Sequence, residues 1–292
     1  MASGDPNRIR LTMDTSIAGA RGVEGFLREQ RGAGTLYREL RPAPDLAAVV
    51  ACGWVRVVRH EAGPQPLPVV PDGCADIITC DDGAPVVVGP DTRARWPALA
   101  EGAVITGLRL RPGALRAVIG CRGVDLVDTS VQLDDVTTAP TRRLNADLRG
   151  AATLPSRLAL LEQWVRTRLR STPGDLAVIH ACRMLAAEPA ADLADVAAAL
   201  GWNARRLHRE FTATCGYGPK TMQRILRIQH VMRTAHRARQ PLRLSDIAAS
   251  GGFADQAHMT REFRSITGFT PTHLLVQSDP ALGRWLDVDW SG

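Results

Sequence analysis

Two groups of side chains in this chain are of types that could do chemistry. The first is Arg205, His208 and Arg209, followed further along by Gln256, His258, Thr260 and Arg261. Arginine can hydrogen-bond guanine through two N–H groups and glutamine can do the same with adenine, so these types suit base reading in a DNA major groove. The second group is Asp72, Cys74 and Asp76 around the turn Pro71-Asp72-Gly73, with Arg109 and Arg111 two residues apart in a β-like run. Alternation places those two arginines on one strand face. They could line a pocket for a small effector, with Trp54 as its apolar wall. The same residues could instead satisfy one another: Asp72 bonding its own turn, Cys74 a small buried side chain, the arginines paired with Asp72 or Asp76. Two further readings use thiols. Cys74 with His60 as base would make a nucleophile of an enzyme fused to a DNA module. Cys52, Cys74 and Cys80 could meet a metal or an oxidant if their strands align. The six cysteines form no C-x-x-C pair. No cofactor, no resident metal and no catalytic residue is expected.

The first group is positioned by an internal repeat. Arg209-Glu210-Phe211 recurs as Arg261-Glu262-Phe263, each Phe followed by Gly216 or Gly268 and then by Pro219 or Pro271. Upstream, Leu193-Ala194-Asp195-Val196-Ala197 with Gly201-Trp202 matches Ser245-Asp246-Ile247-Ala248 with Gly252-Phe253, the second turn carrying one extra residue before Met259. A repeat of this length is a unit used twice. Each unit reads as helix, tight turn, helix. Asp192 caps a first helix with Leu193, Val196, Ala197 and Leu200 on one face; Gly201 makes the turn; Asn203 caps a second helix that buries Leu207 and Phe211 and stops at Gly216. The two reading helices are expected at 203–215 and 255–267. Pro219 opens a helix to about His236, roughly 26 Å at 1.5 Å per residue. With the units' own width added, the reading helices fall about one DNA turn, ~34 Å, apart.

Charge supports the same partner. The whole chain carries +6, with Lys220 as its single lysine. Residues 201–240 alone hold Arg205, Arg206, Arg209, Lys220, Arg224, Arg227, Arg233, Arg237 and Arg239 against Glu210, nine minus one, a local +8. Such clustering, rather than arginine abundance, favours duplex DNA as the partner. At 292 residues and 45% hydrophobic, two folded domains are expected. No apolar run approaches the ~20 residues of a membrane span. The start Met1-Ala2-Ser3-Gly4-Asp5-Pro6 lacks signal-peptide architecture, so a cytoplasmic protein without membrane contact is expected.

The double unit, the connecting helix, and the runs Gly252-Phe253-Ala254-Asp255-Gln256 and Phe263…Gly268…Pro271 resemble the AraC/XylS family of transcription regulators over about 100 residues. The resemblance implies reading of two successive major-groove segments, usually behind a sensor or dimerisation domain. By position it implies base contacts from Arg205, His208 and Arg209, then from Gln256, Ala257, His258, Thr260 and Arg261. Ala257 offers only an apolar contact, and Gly218 departs from the serine usual before the proline. Lys220 is read as a phosphate contact.

The front half must position the second group. Residues 34–150 carry short β-branched runs split by Pro and Gly: 48–59, 68–70, 75–80, 86–89 and 104–111, then a short helix at 114–120. This texture predicts a small barrel or sandwich, hence an α+β protein with an all-α C-terminal domain. Cys52-Gly53-Trp54, Pro71-Asp72-Gly73-Cys74-Ala75-Asp76, Gly89-Pro90 and Arg109-Leu110-Arg111-Pro112-Gly113-Ala114 resemble an uncharacterised domain found ahead of AraC-type modules, which implies a sensor or dimerisation role. Residues 1–33 are expected to be a mobile tail with one helical stretch near 23–30. Helices at 141–149 and 155–170 follow. The second carries Leu158, Leu161, Val165 and Leu169 with Trp164, a stripe that either packs at home or joins two copies as a homodimer. Residues 151–174 are expected as linker helix and linker, 175–277 as the DNA-binding domain and 278–292 as a tail without assigned function.

Overall fold

The computed structural model describes residues 26–32, 35–58, 68–80, 83–97, 99–138, 140–169, 173–238 and 243–276. Seven strands come first: β1 (Phe26–Gly32), β2 (Thr35–Leu40), β3 (Val50–Val58), β4 (Ala75–Cys80), β5 (Val86–Val88), β6 (Val104–Leu110) and β7 (Ser130–Gln132). They form a single sheet in the order β1-β2-β3-β6-β4-β5-β7. All neighbours are antiparallel. Strand β6 thus lies between β3 and β4, and register fixes which side chains share a face. Trp54 lies opposite Gly107, Cys52 opposite Arg109, and Asp76 opposite Arg109 from the other side. Glu39 faces Trp54 and Tyr37 faces Arg56. Partners directly opposite point the same way, so one face of the sheet carries Tyr37, Glu39, Cys52, Trp54, Arg56, Asp76 and Arg109.

The opposite face is apolar and is covered by helices. Val55, Val57, Ile77, Val87, Leu108 and Leu110 pack with α1 (Leu115–Ile119) and α4 (Leu154–Arg168). Between those helices come α2 (Leu133–Val136) and α3 (Arg142–Gly150). The α4 stripe of Leu158, Leu161, Trp164 and Val165 is buried in this core, and Leu158 sits where a side chain at Gly53 would be, 3.2 Å away. The stripe is therefore used at home. Burying such side chains supplies roughly 1.5–3 kcal/mol each, enough to make α4 part of the sheet domain rather than a linker.

The α+β class stands, while several finer expectations are corrected. The strands make one open sheet, not a closed barrel or a sandwich, because helices occupy the apolar face where a second sheet would lie. The stretch read as a tail with a helix near 23–30 contributes β1 from Phe26 to Gly32; residues 1–25 lie outside the described residues, as do the tail 278–292 and His60. Val69 forms only an isolated bridge to Arg95, not a strand. The linker ending at 174 is shortened, since α5 (Pro173–Ala187) already begins at Pro173.

The helical domain continues with α6 (Leu193–Ala199), α7 (Ala204–Cys215), α8 (Pro219–Arg237), α9 (Leu244–Ser250), α10 (Gln256–Thr267) and α11 (Pro271–Val276). One apolar core unites Val196, Leu207, Phe211, Met222, Ile225, Ile228, Met259 and Phe263. Val70 of the sheet domain belongs to that core. Among the described residues no helix is long and apolar enough to cross a membrane.

Candidate nucleic-acid interface and a buried polar cluster

Each reading helix is set by the same local devices. Asp192 Oδ1 accepts from the Ala194 N–H at 2.8 Å to start α6, and Trp202 N donates back to Ala197 O at 2.8 Å across the turn. Gly201 holds φ +66°, a conformation that strains any residue with a Cβ. Asn203 Oδ1 accepts from Arg206 N at 2.9 Å, capping α7. In the second unit Phe253 N donates to Ala248 O at 3.0 Å, Gly252 takes φ +70°, and Asp255 Oδ1 accepts from His258 N at 2.6 Å to cap α10. Each cap contributes about 1 kcal/mol. Connecting helix α8 has 19 residues, about 28 Å at 1.5 Å each.

On this scaffold Arg205, His208, Arg209, Lys220, Gln256, Ala257 and Arg261 are exposed, with His258 and Thr260 partly so. They are not equally free. Arg209 is forked onto Glu210, its Nη2 at 2.8 Å and Nε at 3.3 Å from Oε1. In the second unit the equivalent Glu262 is taken instead by Arg224 of α8 at 2.6 Å, and Arg224 also donates to Ser265 Oγ. Arg261 is left without an ion pair among the described residues. Thr260 spends its hydroxyl on the Gln256 carbonyl at 2.8 Å. The His208 ring sits against the start of α8, where a Cβ at Gly218 would come within 2.9 Å of Nε2. Gly218 makes no side-chain cap bond there. Lys220 Nζ lies 3.3 Å from Gln223 Oε1, whose amide in turn donates to Ala191 O.

One repeated device was missed from sequence. The Arg206 guanidinium lies over the Trp202 ring at 4.7 Å, and His258 meets Phe253 edge-on at 5.5 Å. Arg206 and His258 occupy the same position in the repeat, one clamping each turn aromatic. No common spacing announces it, since the aromatic precedes its partner by four residues in the first unit and by five in the second, and lies ahead of the helix in both. His258 Nδ1 also accepts from Ala254 N at 3.4 Å, so that ring faces its own turn. Gln256, Ala257, Arg261, Arg205 and Arg209 remain exposed on the two helices.

The second predicted group assembles only in part. Arg109, 3% exposed, lies with Nε 3.4 Å from Asp76 Oδ1 and Nη1 3.6 Å from Asp72 Oδ2. Asp76 Oδ1 also accepts from Trp54 Nε1 at 2.6 Å. The indole lies flat on β6 because Gly107 has no side chain; a Cβ there would be 2.6 Å from the ring. Asp72 Oδ1 accepts from Cys74 N at 2.8 Å, the expected turn bond. Arg111 is buried and also bonds outside this group. Strand β6 ends at Leu110, and Arg111 Nε donates to the Ala47 carbonyl at 2.8 Å. Burial raises the Asp72 carboxyl above its usual range and pushes the Cys52 and Cys74 thiols up well above theirs. Burial thus disfavours the reactive thiolate at Cys52 and Cys74.

Comparison with known proteins finds one family in each half of the chain. A helix-turn-helix domain family matches residues 196–277, and a domain of unknown function (DUF6597) matches residues 38–132. No curated protein matches. Among solved structures, an apo form of ToxT from Vibrio cholerae strain SCE256 is 11% identical, with a TM-score of 0.38, and the match covers 85% of this chain and 99% of that one. ToxT from Vibrio cholerae O395 is 10% identical at a TM-score of 0.38, covering 72% and 95%. Likeness of this degree carries no argument about function.

Proposed function

We infer the function from the family of the C-terminal domain: residues 196–277 are an AraC-type helix-turn-helix domain, which makes the chain a DNA-binding regulator. The reading proposed is a sequence-specific transcription regulator whose α7 and α10 enter two successive major-groove segments. What carries it is the pair of capped, open helices at the two ends of α8, each offering its exposed repeat arginine, Arg209 or Arg261. Arg205, Gln256 and Ala257 complete the direct readers. His208, His258 and Thr260 contact DNA from the sides of those helices, and Lys220 takes a phosphate. Arg261→Ala should cost about 1–3 kcal/mol on a selected duplex and relax base preference in one half-site. Titration against selected and random duplexes tests this. Equal losses on both would make Arg261 a phosphate clamp and refute the assignment.

Regulation is assigned to the sheet domain through a small anionic effector. Trp54, Asp72, Cys74, Asp76 and Arg109 lie together, Arg111 completes the candidate set from the end of β6, and an anion could compete for Arg109. The same loop reaches the connecting helix: Gln229 Nε2 of α8 donates to Pro71 O at 2.6 Å, and Gly73 abuts Met222. An effector that drew Arg109 from Asp72 would thus shift a loop seated on α8, which is the unequal binding to two states that coupling requires.

A further inference from the structure

Gly123, in the 3-10 turn Gly123–Asp125 of the sheet domain, has no positive φ to explain it. Its reason is contact: a Cβ there would lie 2.5 Å from Gly216 N and 2.5 Å from Thr214 O, at the end of α7. From the other side, a Cβ at Gly216 would lie 2.2 Å from Val127. Such an approach of backbone to backbone is open only to glycine, so this docking is written into the sequence at both partners. The second unit is held at the corresponding end. Ala94 N donates to Ile266 O in the last turn of α10 at 2.8 Å, and the Trp96 ring meets Phe269 edge-on at 5.5 Å.

The two grips are joined to each other. Gly89, at the root of the second, lies so close to Leu126, at the end of the first, that no side chain fits between them. Asp128 N donates to Pro90 O at 3.2 Å. The Asp128 carboxylate takes both the N–H of Thr92 at 2.7 Å and its hydroxyl at 2.6 Å. Asp128 does so from φ 55°, an unusual conformation for a residue with a side chain. Arg95 then ties the loop to Asp91 and Ser130, each at 2.8 Å. A single bonded piece, residues 89–96 with 123–130, therefore spans from the C-terminal end of one reading helix to that of the other. It leaves Arg205, Arg209, Gln256 and Arg261 exposed.

We propose that this piece acts as a caliper: it sets the distance and rotation between α7 and α10, and hence the half-site separation that the full chain accepts on DNA. The proposal rests on the two-segment reading above and adds that the sheet domain, beyond α8, is a determinant of specificity. Changing the separation by one base pair moves a half-site by about 3.4 Å and ~34° around the duplex, more than a rigid pair of helices can follow.

The test uses the full-length chain and two variants, Trp96→Ala and Asp128→Gly. Trp96 is 49% exposed, and glycine accepts the backbone of Asp128, so neither removes core packing. Sites are first selected from a random duplex pool by the wild type. Affinity is then measured on duplexes with the half-sites moved one base pair closer or further apart. The wild type should lose about tenfold or more at either altered separation, in the range of a mismatched base pair. Each variant should lose less than about threefold while selecting the same half-site sequences. Wild-type steepness in both variants, with melting curves showing them folded, would overturn the caliper, as would a wild type indifferent to separation. A wild type that enriches no sequence would instead bring down the sequence-specific reading, and the caliper with it.

Discussion

Removing the guanidinium of Arg109 measures how firmly the ion triad around it is held. Arg109 is 3% exposed and its two carboxylate partners 15% each. Arg109→Ala leaves Asp72 and Asp76 facing each other in a site where burial already raises the Asp72 carboxyl. Stripping one partner from a buried pair costs about 3–5 kcal/mol. For a sheet domain of about 140 residues melting on its own, that is a fall of about 10–18 °C. The loss should shrink in acid. With the cation gone, nothing opposes the effect of burial on the Asp72 carboxyl, so its neutral form stabilises the variant in acid and that stabilisation is lost as pH rises. Arg109→Met combined with Asp72→Asn and Asp76→Asn should recover most of the difference, since a hydrophobic replacement of the whole triad carries no stranded charge. Thermal melts at pH 5 and pH 8 measure all of this. A melting temperature within about 2 °C of wild type at pH 8 would refute the buried-triad reasoning.

Three other outcomes follow from the geometry. Burial lifts Asp91 from 3.8 to about 7, with Arg95 opposing; its contribution to stability is present below about pH 4 and lost as pH rises towards 7, so Asp91→Asn should gain on the wild type between pH 5 and pH 8, read by melting curves, and a constant difference would count against it. Arg206→Ala should lower the stability of the first unit by about 0.5–1 kcal/mol through loss of the Trp202 contact, without changing the bases selected at that half-site. Lys220→Ala should weaken binding to all duplexes alike and reduce the slope of log affinity against log salt by about 0.9, and an unchanged slope would remove Lys220 from the phosphate contacts.

The reading units were legible because every device in them is local. A glycine turn, an Asn or Asp cap and a 3.6-residue apolar rhythm act within a few residues, so Asp192, Gly201, Asn203, Leu207 and Gly216 appear in the structure in the roles their types predict. The front half was legible as texture only. Strands β1 and β7 have no strong alternation of their own and exist because β2 and β5 offer edges to pair with. The α4 stripe could be seen, but a stripe does not name its partner. At the polar cluster, residue types pointed to the right neighbourhood, while the bond from Arg111 to the Ala47 carbonyl, 64 residues away in the chain, left no local signal. Which glutamate holds which arginine was beyond reach of the sequence. Glu210 and Glu262 are identical in the repeat, and only the position of Arg224 on α8 makes them differ.

The place of β6 in the sheet bears on how the chain is made. Strands β3 and β4 are neighbours in sequence but do not pair with each other; both wait for β6. As the chain leaves the ribosome, each therefore presents an open edge until residues up to Leu110 have emerged, at 5–20 residues per second a delay of a few seconds. During that interval a nine-residue strand rich in valine, Val50–Val58, stands unpaired on its β6 side. Open apolar edges are templates for aggregation, so expression of this protein should be limited by the interval between β3 and β6. Slowing translation within residues 59–103 should lower the soluble yield, whereas slowing it after Leu110 should spare it.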